Sequence, residues 1–107
     1  MKRKSVGLAL AAILAASMGM SAMAADSYLV GFANNSDTYN YCAKFRTYLK
    51  EATEAEGIDI MVTDAGGDTN VQNGQIDDFI VQNANAVSAI SNDLDGSVPA
   101  LKAAEDA

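Results

Sequence analysis

Short apolar segments alternate three times with longer segments of helical period, and this alternation restricts the chain to very few architectures. The apolar segments begin about 30 residues apart, the length of a strand, a crossover helix and the return to a parallel neighbour. An α/β fold is therefore predicted: a partial doubly wound parallel sheet built from three βα units. In open sheets of this kind, ligands sit in the crevice outside the carboxyl ends of the strands. The polar residues that follow each apolar segment are thus the first place to look for a site.

The first strand is predicted over Tyr28-Leu29-Val30-Gly31-Phe32, a continuous apolar run suited to burial on both faces. The polar stretch Asn34-Asn35-Ser36-Asp37-Thr38 follows and offers several helix caps. Tyr41, Phe45, Tyr48, Leu49, Ala52 and Ala55 then recur at helical spacing, and Gly57 closes the helix. The second strand covers Ile58 to Thr63 and meets the turn Asp64-Ala65-Gly66-Gly67-Asp68. Asp68 or Thr69 caps a second helix with Ile76, Phe79 and Ile80 on its apolar stripe, extended by Val71 or Ala84. Asn83 suits the left-handed conformation that ends such a helix. Ala86 to Ile90 form the third strand and Asn92 to Gly96 a loop. Ser97 is expected to cap the last helix, which runs through Glu105 with Pro99 in its first turn.

Ahead of these units, Lys2, Arg3 and Lys4 precede an apolar Val6–Ala16 segment, and Ala22-Met23-Ala24 supplies small residues at a cleavage site. This order is that of a secretory signal peptide, so residues 1–24 are expected to be removed. The apolar segment is shorter than the ~20 residues that span a bilayer, and no Cys follows it for lipid attachment. Periplasmic localisation is expected, with no membrane insertion after cleavage. Cleavage takes three of the seven basic residues and none of the fourteen acidic ones, leaving a net charge of about −10. Such a charge argues against nucleic acid and anionic membranes as partners. The single Cys cannot form an internal disulfide, so residues 25–107 depend on their apolar core alone.

Several chemistries are excluded by residue type. There is no His, which removes imidazole acid-base catalysis and His metal sites. Cys42 lies near a helix start, but lacks the partners of a catalytic thiol and fits a helix face packed near the sheet. Ser91 to Gly96 imitate part of a calcium loop, yet its twelfth position would be Lys102, which repels the cation. Asp64-Ala65-Gly66-Gly67-Asp68 lacks the spacing and the Lys of a phosphate loop and reads as a turn with a helix cap. No metal, cofactor or enzymatic activity is expected. Carboxylates, amides and an aromatic ring remain at the strand ends: Asp37 with Tyr39, and Asn92 with Asp95. Carboxylates accept hydroxyl hydrogen bonds, amides donate and accept, and a ring covers the C–H face of a sugar. The same four residues also fit a plainer role as caps and solvated loop positions.

Taken in order, these segments resemble the start of a type 1 periplasmic sugar-binding protein, the substrate-binding component of ABC sugar importers. The resemblance covers nearly all of residues 26–107. It rests on Leu29–Phe32, the loop Asn34–Tyr41, Thr63–Asp68, Gln72-Asn73-Gly74-Gln75-Ile76-Asp77, Ile90–Asp95 and Val98–Ala104. It implies a periplasmic binding protein-like type I fold, of which residues 25–107 would be the first part of the N-terminal lobe. It further implies hinge closure of two lobes on a small-molecule sugar ligand, and delivery to an ABC permease. By the same resemblance Asp37 bonds a sugar hydroxyl and Tyr39 stacks on the ring. Asn92 matches the amide of galactose/glucose-type members and Asp95 the carboxylate of ribose-type members. Asn40 falls where ribose-type members often place a second aromatic, which leaves the sugar undecided, and Asp93 replaces a common Pro.

The chain stops where a fourth strand is due, so it is expected to be an incomplete lobe that binds sugars weakly or not at all alone. The rival expectation is a small acidic exported interaction protein without a ligand pocket.

Overall fold

The computed structural model describes residues 27–107; the leader 1–24 and its cut after Ala24 lie outside the described residues. The elements are β1 (Leu29–Asn34), α1 (Asn40–Ala55), β2 (Asp59–Asp64), α2 (Thr69–Val81), β3 (Ala86–Ala89) and α3 (Leu94–Asp106). The three strands are parallel in the order β2-β1-β3, so the first strand lies in the middle. The expected α/β architecture is the observed one.

Alternation along β1 assigns its side chains to two layers. Phe32 points towards α1, where its ring lies 5.6 Å from that of Phe45. Gly31 and Ala33 point the other way, towards α2 and α3. Ala33, Ile76, Phe79 and Ala100 form the buried cluster there, flanked by Met61, Val87, Ala89 and Leu101. Gly31 has a packing reason: a Cβ at this position would lie 2.4 Å from Cγ of Phe79, so only glycine lets that ring rest on the strand.

β1 continues two residues beyond the apolar run because Ala33 and Asn34 stay in register with Thr63 and Asp64. Asn34 is fully buried despite its polarity. Its amide donates to the Asp37 carboxylate at 2.7 Å and to the Cys42 carbonyl at 3.3 Å. Burial of Cys42 agrees with the helix-face expectation. The apolar stripe expected on α1 is displaced, however: Tyr41 and Tyr48 are 70% and 67% exposed. Among the described residues α1 is alone on its side of the sheet and makes a narrow contact, supplied by Cys42 and Phe45 with Leu49 and Thr53 half-buried below them.

Caps account for the remaining differences. The polar stretch before α1 supplies no side-chain cap, since the capping position is held by Tyr39. Asp68 caps α2 as expected, accepting from the Val71 N–H at 3.0 Å. Val71 is exposed, whereas Ala84 packs on the core from beyond the helix end, after Asn83 turns the chain at φ 58°. α3 begins earlier than expected: Asp93, not Ser97, is its cap and accepts from the Asp95 and Gly96 N–H groups. Ser97 is a buried residue inside the helix, and Pro99 follows in the second turn, with no N–H to offer the Asp95 carbonyl.

Candidate functional site

The loops that leave the carboxyl ends of the strands are fastened to one another by hydrogen bonds. The Ala65 and Gly67 N–H groups donate to the Asn34 and Asn35 carbonyls at 3.1 and 3.0 Å, joining the loops after β1 and β2. Gly66 and Gly67 reach this arrangement with φ of +60° and +81°, which the two glycines adopt without a Cβ clash. The Asn35 amide donates to the Ser91 carbonyl at 3.3 Å, joining the loops after β1 and β3. One sheet edge thereby gathers the β1–α1 loop, with Asp37 and Tyr39, and the β3–α3 loop, with Asn92.

Asp37 is the most constrained of the candidate residues. One carboxylate oxygen accepts from Asn34 and the other forms an ion pair with Arg46, one helix turn inside α1. Its own N–H donates to the Asp64 carboxylate at 3.2 Å, and Asp64 also takes the Gly66 N–H at 2.9 Å. A carboxylate has about four acceptor positions, so hydroxyl hydrogens can still be accepted. Tyr39 is 58% exposed at the start of α1. Asn40 is the exposed first residue of that helix.

On the far loop, Asn92 is half-buried and held from below. Its N–H donates to the Gln72 side-chain carbonyl at 3.1 Å, with its own amide nitrogen 3.5 Å from the same oxygen. Asp95 is exposed in the first turn of α3. The structure thus places all five candidate residues at the carboxyl edge of the sheet, on two loops and the helix turns that follow them. This edge is an open surface. Two grooves of about 500 and 380 Å³ occur elsewhere, beside Asn85, Val87, Ala104 and Glu105, and none of the five residues lines them.

Three residues of α2 that had no individual role in the sequence support this edge. Gln72 donates to the Ala33 and Ile90 carbonyls at 3.1 and 2.8 Å. Asn73 donates to the Gly96 carbonyl at 2.9 Å, and Gln75 to the Asp64 carbonyl at 3.0 Å. A signal for Gln72 was present: it precedes Ile76 and Phe79 by four and seven residues, which places an amide on the buried face of the helix. A buried amide must find partners. Arg46 carried no comparable signal.

Among the described residues, no cluster of three metal-ligating side chains occurs, and no helix is long and apolar enough to cross a membrane. No curated protein sequence matches the chain. A solved structure does: an ABC transporter solute-binding protein from Mycobacterium smegmatis with bound glycerol. It is 26% identical with a TM-score of 0.72, over 76% of this chain and 28% of that one. The chain therefore spans little more than a quarter of that protein's length. The model of the periplasmic binding protein domain matches residues 30–107, through all three strand-helix units. By that match, the chain belongs to the periplasmic binding protein domain family.

Proposed function

We propose that the chain contributes the first part of the N-terminal lobe of an exported substrate-binding component of an ABC-type sugar importer. In this reading residues 1–24 are a signal peptide and residues 25–107 work in the periplasm as a binder without catalytic activity. The observation that carries it is the pairing, on one short loop, of a carboxylate anchored by Asn34 and Arg46 with an exposed tyrosine ring. Sugars and polyols combine hydroxyl hydrogens with C–H faces and need those two surfaces together. Asp37 accepts from hydroxyls, Tyr39 covers a ring face, and Asn92 and Asp95 approach from the other loop. Asn40 stands beside Tyr39 as a further polar contact. Glycerol, bound in the solved relative, is a polyol and supports this ligand class.

Groups from a second lobe, and the permease that accepts the sugar, lie beyond this chain. An open half-site buries less ligand than an enclosed one, so binding by these residues alone is weak. Titration of the isotope-labelled chain with glycerol, D-ribose and D-galactose, followed by NMR, tests the reading. Millimolar or weaker binding that shifts the Asp37, Tyr39 and Asn92 amides is expected. No specific shift with any of the three, or shifts confined to other surfaces, would leave an acidic interaction protein as the better reading.

A further inference from the structure

We infer that Gln72 is a positioning residue for the site: its buried amide substitutes for a missing strand neighbour and thereby sets Asn92. The inference rests on the reading that Asn92 meets the ligand. β3 ends at Ala89 and Ile90 keeps only its N–H bond to the central strand, so the backbone from the Ile90 carbonyl to Asn92 has left the ladder just where the candidate residue must be held. Gln72, fully buried at 0% exposure, donates to the Ile90 carbonyl at 2.8 Å and accepts from the Asn92 N–H at 3.1 Å. A carbonyl and an N–H two residues apart are the groups that one residue of a parallel strand engages on its neighbour. The side-chain amide holds a donor and an acceptor, as a peptide group does, and so continues the ladder past its end.

Its second donor bond, to the Ala33 carbonyl at 3.1 Å, ties the same clamp to the central strand. Ala33 also accepts from the Ile90 N–H at 3.1 Å. The path from the core to Asn92 therefore runs through Ala33 and Gln72, both fully buried, and the half-buried Ile90. A Met in place of Gln72 keeps length and volume but offers neither bond. An Asn keeps the chemistry but is one methylene short of both partners.

The test compares amide hydrogen exchange in the full chain and in its Gln72→Met and Gln72→Asn variants, without ligand. In the unmodified chain the Asn92 amide is expected to be protected although it lies in a loop. Either substitution is expected to speed its exchange by roughly tenfold, while β1–β2 ladder amides and the Val71 amide capped by Asp68 keep their rates. Weaker binding of glycerol, D-ribose or D-galactose by the variants, with Tyr39 still shifting, completes the expected pattern. An unprotected Asn92 amide in the unmodified chain overturns the inference, a result that requires no variant to fold. So does a rise shared equally by all strand amides, which marks a merely structural role, or unchanged affinity in the variants. If the unmodified chain binds none of the three probes, the sugar-binding reading fails. The inference about Asn92 positioning then fails with it, even where exchange shows the clamp to be real.

Discussion

Arg46 reaches back from the second turn of α1 to the carboxylate of Asp37, whose other oxygen is held by the Asn34 amide. The two partners hold one carboxylate oxygen each, and the side chain remains 29% exposed. Arg46 is 40% exposed, and the pair is screened by solvent, so its contribution to stability is below about 1 kcal/mol. Its role lies in orientation. Arg46→Met is expected to leave the thermal midpoint nearly unchanged and to weaken polyol binding several-fold. Equal losses of both, measured by melting and NMR titration, would assign the pair to stability instead.

Tyr39 offers a cleaner separation of binding from folding. Its side chain makes no capping bond and is largely exposed, so Tyr39→Ala should change stability by no more than about 0.5 kcal/mol. Loss of the ring is expected to abolish detectable binding of D-galactose, while glycerol, which has no ring face to cover, loses less. Comparing the two titrations on one variant checks this directly.

Gly31→Ala tests the packing of the sheet against α2. The new methyl would overlap the Phe79 ring, which lies within the buried cluster and cannot swing aside. Destabilisation of about 1–3 kcal/mol is expected, read as a lower urea midpoint. The double variant Gly31→Ala, Phe79→Leu should recover part of it, because the clash is with the ring itself.

The start of α3 is set by Asp93, and a capping substitution checks the assignment. Asp93→Ala removes the acceptor for the Asp95 and Gly96 N–H groups and should cost about 1 kcal/mol. Asp93→Asn keeps an oxygen in place and should cost only a few tenths of that. Ser97→Ala acts differently. It breaks the half-buried 2.6 Å bond to Ser91 and the 2.7 Å bond to the Asp93 carbonyl, so its effect should appear in the exchange of the β3–α3 loop amides.

Strand-helix order, the parallel sheet and the turn at Asn83 were legible in the sequence because each depends on local pattern: an apolar run, a helical period, a residue tolerant of left-handed backbone. The gathering of the candidate residues at one edge was legible because the strands of such a sheet are parallel and their carboxyl ends lie side by side. What the pattern could not reveal was which face α1 turns inward. Tyr41 and Tyr48 have the spacing of a core stripe, but among the described residues no other helix packs on that side of the sheet, and those rings are exposed. Ser97 and Asp93 are both good caps, and the helix begins at the earlier one, with the Ser97 hydroxyl bonded instead to Ser91 and to the Asp93 carbonyl. Long-range bonds such as Asn35 to Ser91 and Gln72 to Ile90 join residues far apart in the chain, and local pattern does not name the partner even where, as for Gln72, it marks an amide that needs one.

The central position of β1 has a consequence for the order of assembly. Of the described strands, the first to be made is the one that needs two neighbours, one on each edge. β2 can zip onto it after a single crossover, but Val30 stays half-paired until Ala86 has been made. Long-range pairing of this kind is slow to form. The nascent chain therefore holds an open, apolar strand edge for the whole synthesis of α2, and a chaperone that binds extended segments would find its target at Leu29 to Phe32.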